Sequence, residues 1–237
     1  MRSADEDGRV SPPFPPIDPP RSRIVFPDPR TIEGDVVAVG TDFRPGTLLH
    51  AYRQGIFPWP QSPDLVGWFS PDPRAIFRLE DTPHWSRSLR RTMRKHGLEV
   101  TLDEAFPEVI RACGDERAGG TWILPELVDG YVALHDLGWA HSVEVWEKGR
   151  LVGGIYGITV GGLFAGESMF HRRTDASKIA FVSMVERLQK GGFTLFDVQV
   201  MNDHLASLGC AEISRADYLE RLSDALTRTG RLSAKGS

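Results

Sequence analysis

The chain has 237 residues, 41% of them hydrophobic, with a net charge of -4, 17 prolines and only 2 cysteines. That allows one large domain or two smaller ones with a sizeable core, and it argues against a generally basic nucleic-acid binder, so any such role must come from a local patch. The lone Cys113 and Cys210, the absence of an apolar leader and the lack of a long apolar run lead us to expect a soluble, cytoplasmic, monomeric protein without structural zinc.

Residues 1–30 are polar and proline-rich and read as a disordered or extended arm. Pro45–Gln54 predicts a short helix that starts on Pro45 and stops at Gly55. Two proline-broken aromatic segments follow, Gly55–Pro60 (GIFPWP) and Trp68–Arg74 (WFSPDPR). They form either a rigid aromatic surface or plugs for the core. We place a small N-terminal domain at 31–72 and a main domain at 73–237.

Ser86–His96 predicts a helix carrying Arg87, Arg90, Arg91, Arg94 and Lys95 and no acid. The four arginines follow i, i+3, i+4, i+7 spacing and share one face. Such a face is either simply solvated or relieved by phosphates. Leu98–Leu102 alternates as a strand, and Asp103 is expected to cap a helix with Phe106, Val109, Ile110 and Cys113 on its apolar face. Gly119–Ile123 reads as a turn, and Pro125–Leu137 as a helix closed by Gly138. His141–Trp146 and Leu151–Val160 are strands joined by a Lys148-Gly149 hairpin, and Leu163–Phe170 extends the sheet. Thr174 or Asp175 is expected to cap a helix over Ala176–Lys190. A strand over Phe193–Val200, a short turn at His204–Leu208 and a final helix from Ser214 to Leu226 complete an α+β layout with a central, largely antiparallel sheet.

Two places stand out chemically. Glu167 lies among Phe164, Met169 and Phe170, where an ionised carboxylate needs partners or something to hold. Asp197 and Gln199, two apart in an apolar strand, share a face, so the carboxylate is placed to orient the amide. Each also fits a purely structural role. No nucleophile elbow, phosphate-binding loop or HExxH zinc motif occurs. His84, His135, His141, His171 and His204 lack metal-ligand spacing. Gly153-Gly154 and Gly161-Gly162 mark bends or places where a ligand approaches the strand backbone rather than a dinucleotide fingerprint.

Taken in order, GIFPW (55–59), SPDPR (70–74), HWSRSLRR (84–91), GTWI (120–123), AHSVEVW (140–146), GESMF (166–170), DASK (175–178), DVQ (197–199) and SLG (207–209) resemble the leucyl/phenylalanyl-tRNA–protein transferases of the bacterial N-degron pathway. The resemblance covers about 35–222. It implies an acetyltransferase-like (GNAT) main domain without metal or redox cofactor. Leucine or phenylalanine would pass from aminoacyl-tRNA to the α-amine of proteins with N-terminal Arg or Lys. It further implies Gln199, Asp197 and Glu167 as catalytic residues, with Asp197 holding Gln199. Ile155, Phe164, Met169, Phe181, Met184 and Phe196 would line the aminoacyl pocket. Trp59 and Trp122 would flank the 3′-terminal adenine, and Arg87, Arg90, Arg91, Arg94 and Lys95 would meet tRNA phosphates. Thr41 and Val198 depart from the family's usual residues. An acyl-CoA-dependent acyltransferase is the competing expectation, but 170–178 lacks the glycine-rich pyrophosphate loop it would need.

Overall fold

The computed structural model describes residues 11–62, 65–81, 85–93, 97–115 and 124–233. Proline placement shapes the first sheet. Strands β1 (Val36–Val39), β2 (Phe57–Ser62) and β3 (Leu65–Phe69) pair antiparallel in the order β1-β3-β2. Pro58 and Pro60 thus fall on an edge strand, where a missing amide costs least. Between β1 and β2, helix α1 (Pro45–Tyr52) starts on its proline and stops before Gly55. Gly55 has φ +76°, and a Cβ there would lie 2.8 Å from Tyr218 and 2.9 Å from Leu219. Only glycine fits both the turn and the close approach.

The remaining strands form one large sheet. They are β4 (Arg74–Phe77), β5 (Leu98–Leu102), β6 (Ala140–Glu147), β7 (Arg150–Val160), β8 (Leu163–His171), β9 (Leu195–Gln199) and β10 (Ala211–Ile213). Their order is β10-β4-β9-β8-β7-β6-β5, and every pairing is antiparallel except β8 with β9. The helices are α2 (Arg87–Met93), α3 (Phe106–Asp115), α4 (Pro125–Asp136), α5 (Ala176–Lys190), α6 (Asp203–Ser207) and α7 (Arg215–Leu226). One apolar cluster joins the small sheet, α1, α3, α4 and α7 to Tyr156, Ile158 and Ala165 on one face of the large sheet. The other cluster packs α5 onto Val143, Val145, Ile155, Phe164 and Phe196 on the opposite face. This is the expected α+β layout with a small separate N-terminal sheet.

Several local expectations change. Of the proline-rich arm, residues 11–30 are extended and docked. The amide of Ile17 donates to Leu137 O, Trp139 Nε1 donates to Ile17 O, and Phe26 is buried against Trp68. The proline run still offers backbone carbonyls and apolar rings, which is enough to line a surface without forming an element. Asp103 does not cap α3. Its φ of +61° turns its carboxylate to His141 Nδ1 and the Ser142 amide instead. Asp175 occupies the N-cap position of α5 at φ +70° but accepts no capping hydrogen bond there, and its Oδ2 accepts from Thr92 Oγ1. What approaches the strand at Gly153 is helix α5 rather than a ligand: a Cβ would sit 2.5 Å from that of Ala176. The Lys148-Gly149 hairpin is as expected, both residues having positive φ as a type I′ turn requires.

On β6, Glu144 is fully buried and accepts from the hydroxyls of Thr101 and Ser142. Burial outweighs these donors and pushes its carboxyl up to about 7 from an ordinary 4.5. A raised folded-state value means that the folded chain holds the extra proton between those two pH values, so this group's contribution to stability declines as pH rises through that window. Glu144→Gln should flatten the fall in stability between pH 5 and pH 8 by about 2–3 kcal/mol, read by chemical denaturation at each pH. An unchanged pH slope would place the titration elsewhere.

Candidate active site

The site forms where two neighbouring strands part. β8 and β9 pair in parallel only over Leu163–Ala165 and Leu195–Asp197. Beyond that, β8 stays with β7 and β9 stays with β4. Each carries one extra residue at the fork. In β8, Gly166 and Ser168 lie opposite Gly157 and Tyr156, which makes Glu167 the bulged residue. In β9, Asp197 and Gln199 lie opposite Ile76 and Ala75, so Val198 is the extra one, and Gln199 takes a left-handed φ of +67°. Bulges re-aim side chains. Here they bring two groups across the fork, Gln199 Nε2 donating to Glu167 Oε1 at 2.7 Å.

Both partners are held from behind. The Tyr131 hydroxyl on α4 donates to Glu167 Oε2 at 2.8 Å, and it lies 2.6 Å from the Tyr52 hydroxyl on α1. Burial raises the carboxyl of Glu167 to about 7, even though the tyrosine hydroxyls and the Gln199 amide favour its charged form. Burial and the nearby carboxylate push Tyr52 and Tyr131 well above their usual value, so both hydroxyls stay protonated and serve as donors.

Asp197 plays a different part from the one expected. Its Oδ1 accepts the backbone amide of Gln199 at 2.8 Å, while the side-chain amide belongs to Glu167. Its carboxylate is gripped by Arg74, with Nε to Oδ1 at 2.8 Å and Nη2 to Oδ2 at 2.6 Å, and by the Tyr218 hydroxyl at 2.9 Å. The left-handed turn at Gln199 explains the change, because it swings the side chain off the face that it would share with Asp197. Burial alone would lower the Arg74 value, but the Asp197 carboxylate reverses that and keeps the guanidinium charged. Arg74 also donates to Gly55 O and lies between the rings of Phe57 and Tyr218.

A cavity of about 590 Å³ opens at the fork. Glu167 and Gln199 stand at it, and Ile155, Met169, Phe181 and Phe196 supply apolar wall. Phe164 and Met184 do not reach it. Both are fully buried, and Phe164 meets Phe196 edge-on at 5.2 Å, stiffening the wall from behind. Phe164 lies behind the Phe196 ring that lines the cavity, and Met184 belongs to the buried cluster under α5. Trp59 lies on the rim against Phe57 and Phe69. Arg87, Arg90 and Arg91 are exposed on α2, and Arg90 Nε is tied to Trp85 O at 3.0 Å. Trp122, Arg94 and Lys95 lie outside the described residues. Burial pushes the Cys210 thiol up to about 12, so it stays neutral.

Sequence reasoning missed Arg74, Tyr218, Tyr52 and Tyr131 as site residues. Arg74 had a detectable signal. A carboxylate inside FTLFDVQV needs a cation, and an arginine next to Asp-Pro in an aromatic segment is a fair candidate.

A deep apolar cavity with a carboxylate and an amide at its neck suits a group-transfer enzyme that grips an apolar side chain. The comparisons agree. The family model for leucyl/phenylalanyl-tRNA protein transferase matches residues 76–223, and that for its N-terminal domain matches residues 41–72. The enzyme called leucyl/phenylalanyl-tRNA–protein transferase in Stutzerimonas stutzeri is 52% identical over 81% of this chain and 86% of its own length. Its namesake in Anaeromyxobacter is 51% identical over 86% and 88%. Among solved structures, a GCN5-related N-acetyltransferase-like protein from Streptococcus suis aligns at 14% identity and TM-score 0.34, over 73% of this chain and 61% of that one. The chain belongs to the leucyl/phenylalanyl-tRNA–protein transferase family, and it is an aminoacyltransferase. Among the described residues, no helix is long and apolar enough to cross a membrane.

Proposed function

We propose that the protein moves leucine or phenylalanine from its tRNA onto the α-amine of proteins beginning with Arg or Lys, which marks them for degradation by the N-degron route. We place it in the cytoplasm as a monomer, with the 31–72 unit and the 73–237 unit serving one reaction. The observation that carries this reading is the Gln199–Glu167 bridge at the neck of the apolar cavity. The aminoacyl side chain enters against Phe181, Phe196, Ile155 and Met169, with Trp59 and Trp122 flanking the terminal adenine. Arg87, Arg90, Arg91, Arg94 and Lys95 meet the acceptor-stem phosphates.

The chemistry needs no protein nucleophile. An aminoacyl ester is already activated, and fixing an amine beside its carbonyl supplies much of the rate. The acceptor's α-ammonium, with an ordinary value near 8, must first lose a proton. Glu167, held near 7, is matched to that task and to attracting a basic N-terminus. The amide nitrogen of Gln199 donates to Glu167, which leaves its oxygen to accept from the amine. The new amide bond forms as the ester C–O bond breaks, and the proton ends on the 3′-oxygen of the ribose.

The test is incubation with leucyl-tRNA and either an Arg-initiated or an Ala-initiated peptide, followed by mass spectrometry. Addition of one leucyl residue to the Arg peptide alone is expected. No addition would remove this reading, and transfer from a leucyl thioester instead would favour the acyl-CoA alternative.

A further inference from the structure

The proline-rich arm docks on the two helices that back the active site. Helices α1 and α4 carry Tyr52 and Tyr131, the pair that stands behind Glu167. At the start of α1, Ser22 Oγ lies 2.9 Å from Thr47 Oγ1. The arm runs so close to Gly46 that a Cβ there would overlap Pro20 O. Just past α4, the Ile17 amide donates to Leu137 O at 2.8 Å, and Trp139 Nε1 donates to Ile17 O at 2.8 Å. Gly138 admits Pro13 O as Gly46 admits Pro20 O. The two helices' ends meet at Arg53, the residue after Tyr52. Its guanidinium lies 5.4 Å from the centre of the Trp139 ring, and it faces Asp18 of the arm at 3.5 Å. That ion pair is exposed and contributes little by itself, so the hydrogen bonds and the close packing hold the arm. Its many prolines leave the free chain less freedom to lose on docking.

We propose that residues 13–22 are a positioning strap for the active site: by fixing α1 against α4, they keep the Tyr52 and Tyr131 hydroxyls aligned behind Glu167. This rests on the reading in which Glu167 takes the proton of the incoming amine. The carboxylate has neighbours on several elements. Tyr52 and Tyr131 face it from the strapped helices, Gln199 and Asp197 from β9, and Arg74 from β4. His171 of β8 and His204 of α6 line the same cavity. Of these groups, only the tyrosines sit on α1 and α4. Their hydroxyls favour the charged carboxylate against the effect of burial. Loosening them therefore raises the pH at which Glu167 becomes a base.

Gly46→Ala is the probe. Alanine suits a helix better than glycine, and the atoms nearest the new methyl all belong to Pro20 and Ser22, so the arm is displaced while α1 persists. Ile17→Pro is a second probe, which removes the amide that donates to Leu137 O and alters neither helix. In both variants trypsin should cut after Arg21 or Arg23 several-fold faster than in the unaltered protein. Single-turnover kcat/KM for leucyl transfer to an Arg peptide should fall about three- to tenfold at about pH 6, the scale of one weakened hydrogen bond, and converge with that of the unaltered protein at about pH 9. Profiles that superimpose, or a loss equal at every pH, would overturn the strap. So would an arm no easier to cut in Gly46→Ala. Failure of the unaltered protein to transfer, or an unaltered profile with no inflection at about pH 7, would instead overturn the reading of Glu167.

Discussion

Gln199→Ala should lower kcat/KM for leucyl transfer by roughly 100-fold or more while changing tRNA affinity by less than about twofold. The expectation follows from how this side chain is fixed. Its backbone amide is held by Asp197, its left-handed φ is set by the β9 bulge, and its Nε2 is committed to Glu167. In the proposed reaction, so tightly set an amide presents its oxygen to the incoming amine. Alanine removes that acceptor and leaves Glu167 with the Tyr131 hydroxyl alone, but it touches no surface assigned to tRNA phosphates. Single-turnover transfer and a filter-binding titration check the two halves separately. Normal transfer by the variant would refute the role of Gln199. A parallel loss of tRNA affinity would mean that it shapes the site rather than the chemistry.

The other large effect is on the fold. Arg74→Met should destabilise the protein by about 3–5 kcal/mol, the usual cost of breaking a buried ion pair from one side. For a chain of this size that lowers Tm by about 10 °C or more. Asp197 would be left buried with only the Tyr218 hydroxyl and one amide for its charge. Removing both charges in Arg74→Met/Asp197→Leu should recover much of the loss, since the pair must repay its own desolvation. The double variant should still be inactive, because the Gln199 backbone loses its anchor. Differential scanning calorimetry separates these cases. A Tm within about 2 °C of the parent for Arg74→Met alone would show that the pair does not hold the fork together.

How much of this was readable in the sequence depends on whether the signal was local. The strand β5 announced itself by alternation, and β6 and β7 by the Lys148-Gly149 hairpin signal between them. Of the apolar residues expected together, Phe181, Phe196, Ile155 and Met169 line the cavity, whereas Phe164 and Met184 are buried behind it. A pattern of apolar residues says which face is buried, but not how many layers separate it from a cavity. The bulges mattered more. Strict alternation puts Asp197 and Gln199 on one face, and one inserted residue gave each carboxylate a different partner. Asp103 and Asp175 were misread as caps for a related reason. Their positive φ aims the side chain away from its own helix, and only the tertiary partners, His141 and Thr92, make that favourable. Arg74, Tyr131 and Tyr218 join the site across long sequence separations, beyond any local pattern.

In the proposed reaction the fork between β8 and β9 holds the aminoacyl group. That placement is tested most directly by binding a non-hydrolysable leucyl amide of adenosine with labelled leucine methyls and reading nuclear Overhauser contacts to the protein. Contacts from the methyls to the rings of Phe181 and Phe196, and from the adenine to Trp59, are the predicted result. A saturated complex whose leucyl methyls contact none of the cavity's aromatic rings would contradict the account.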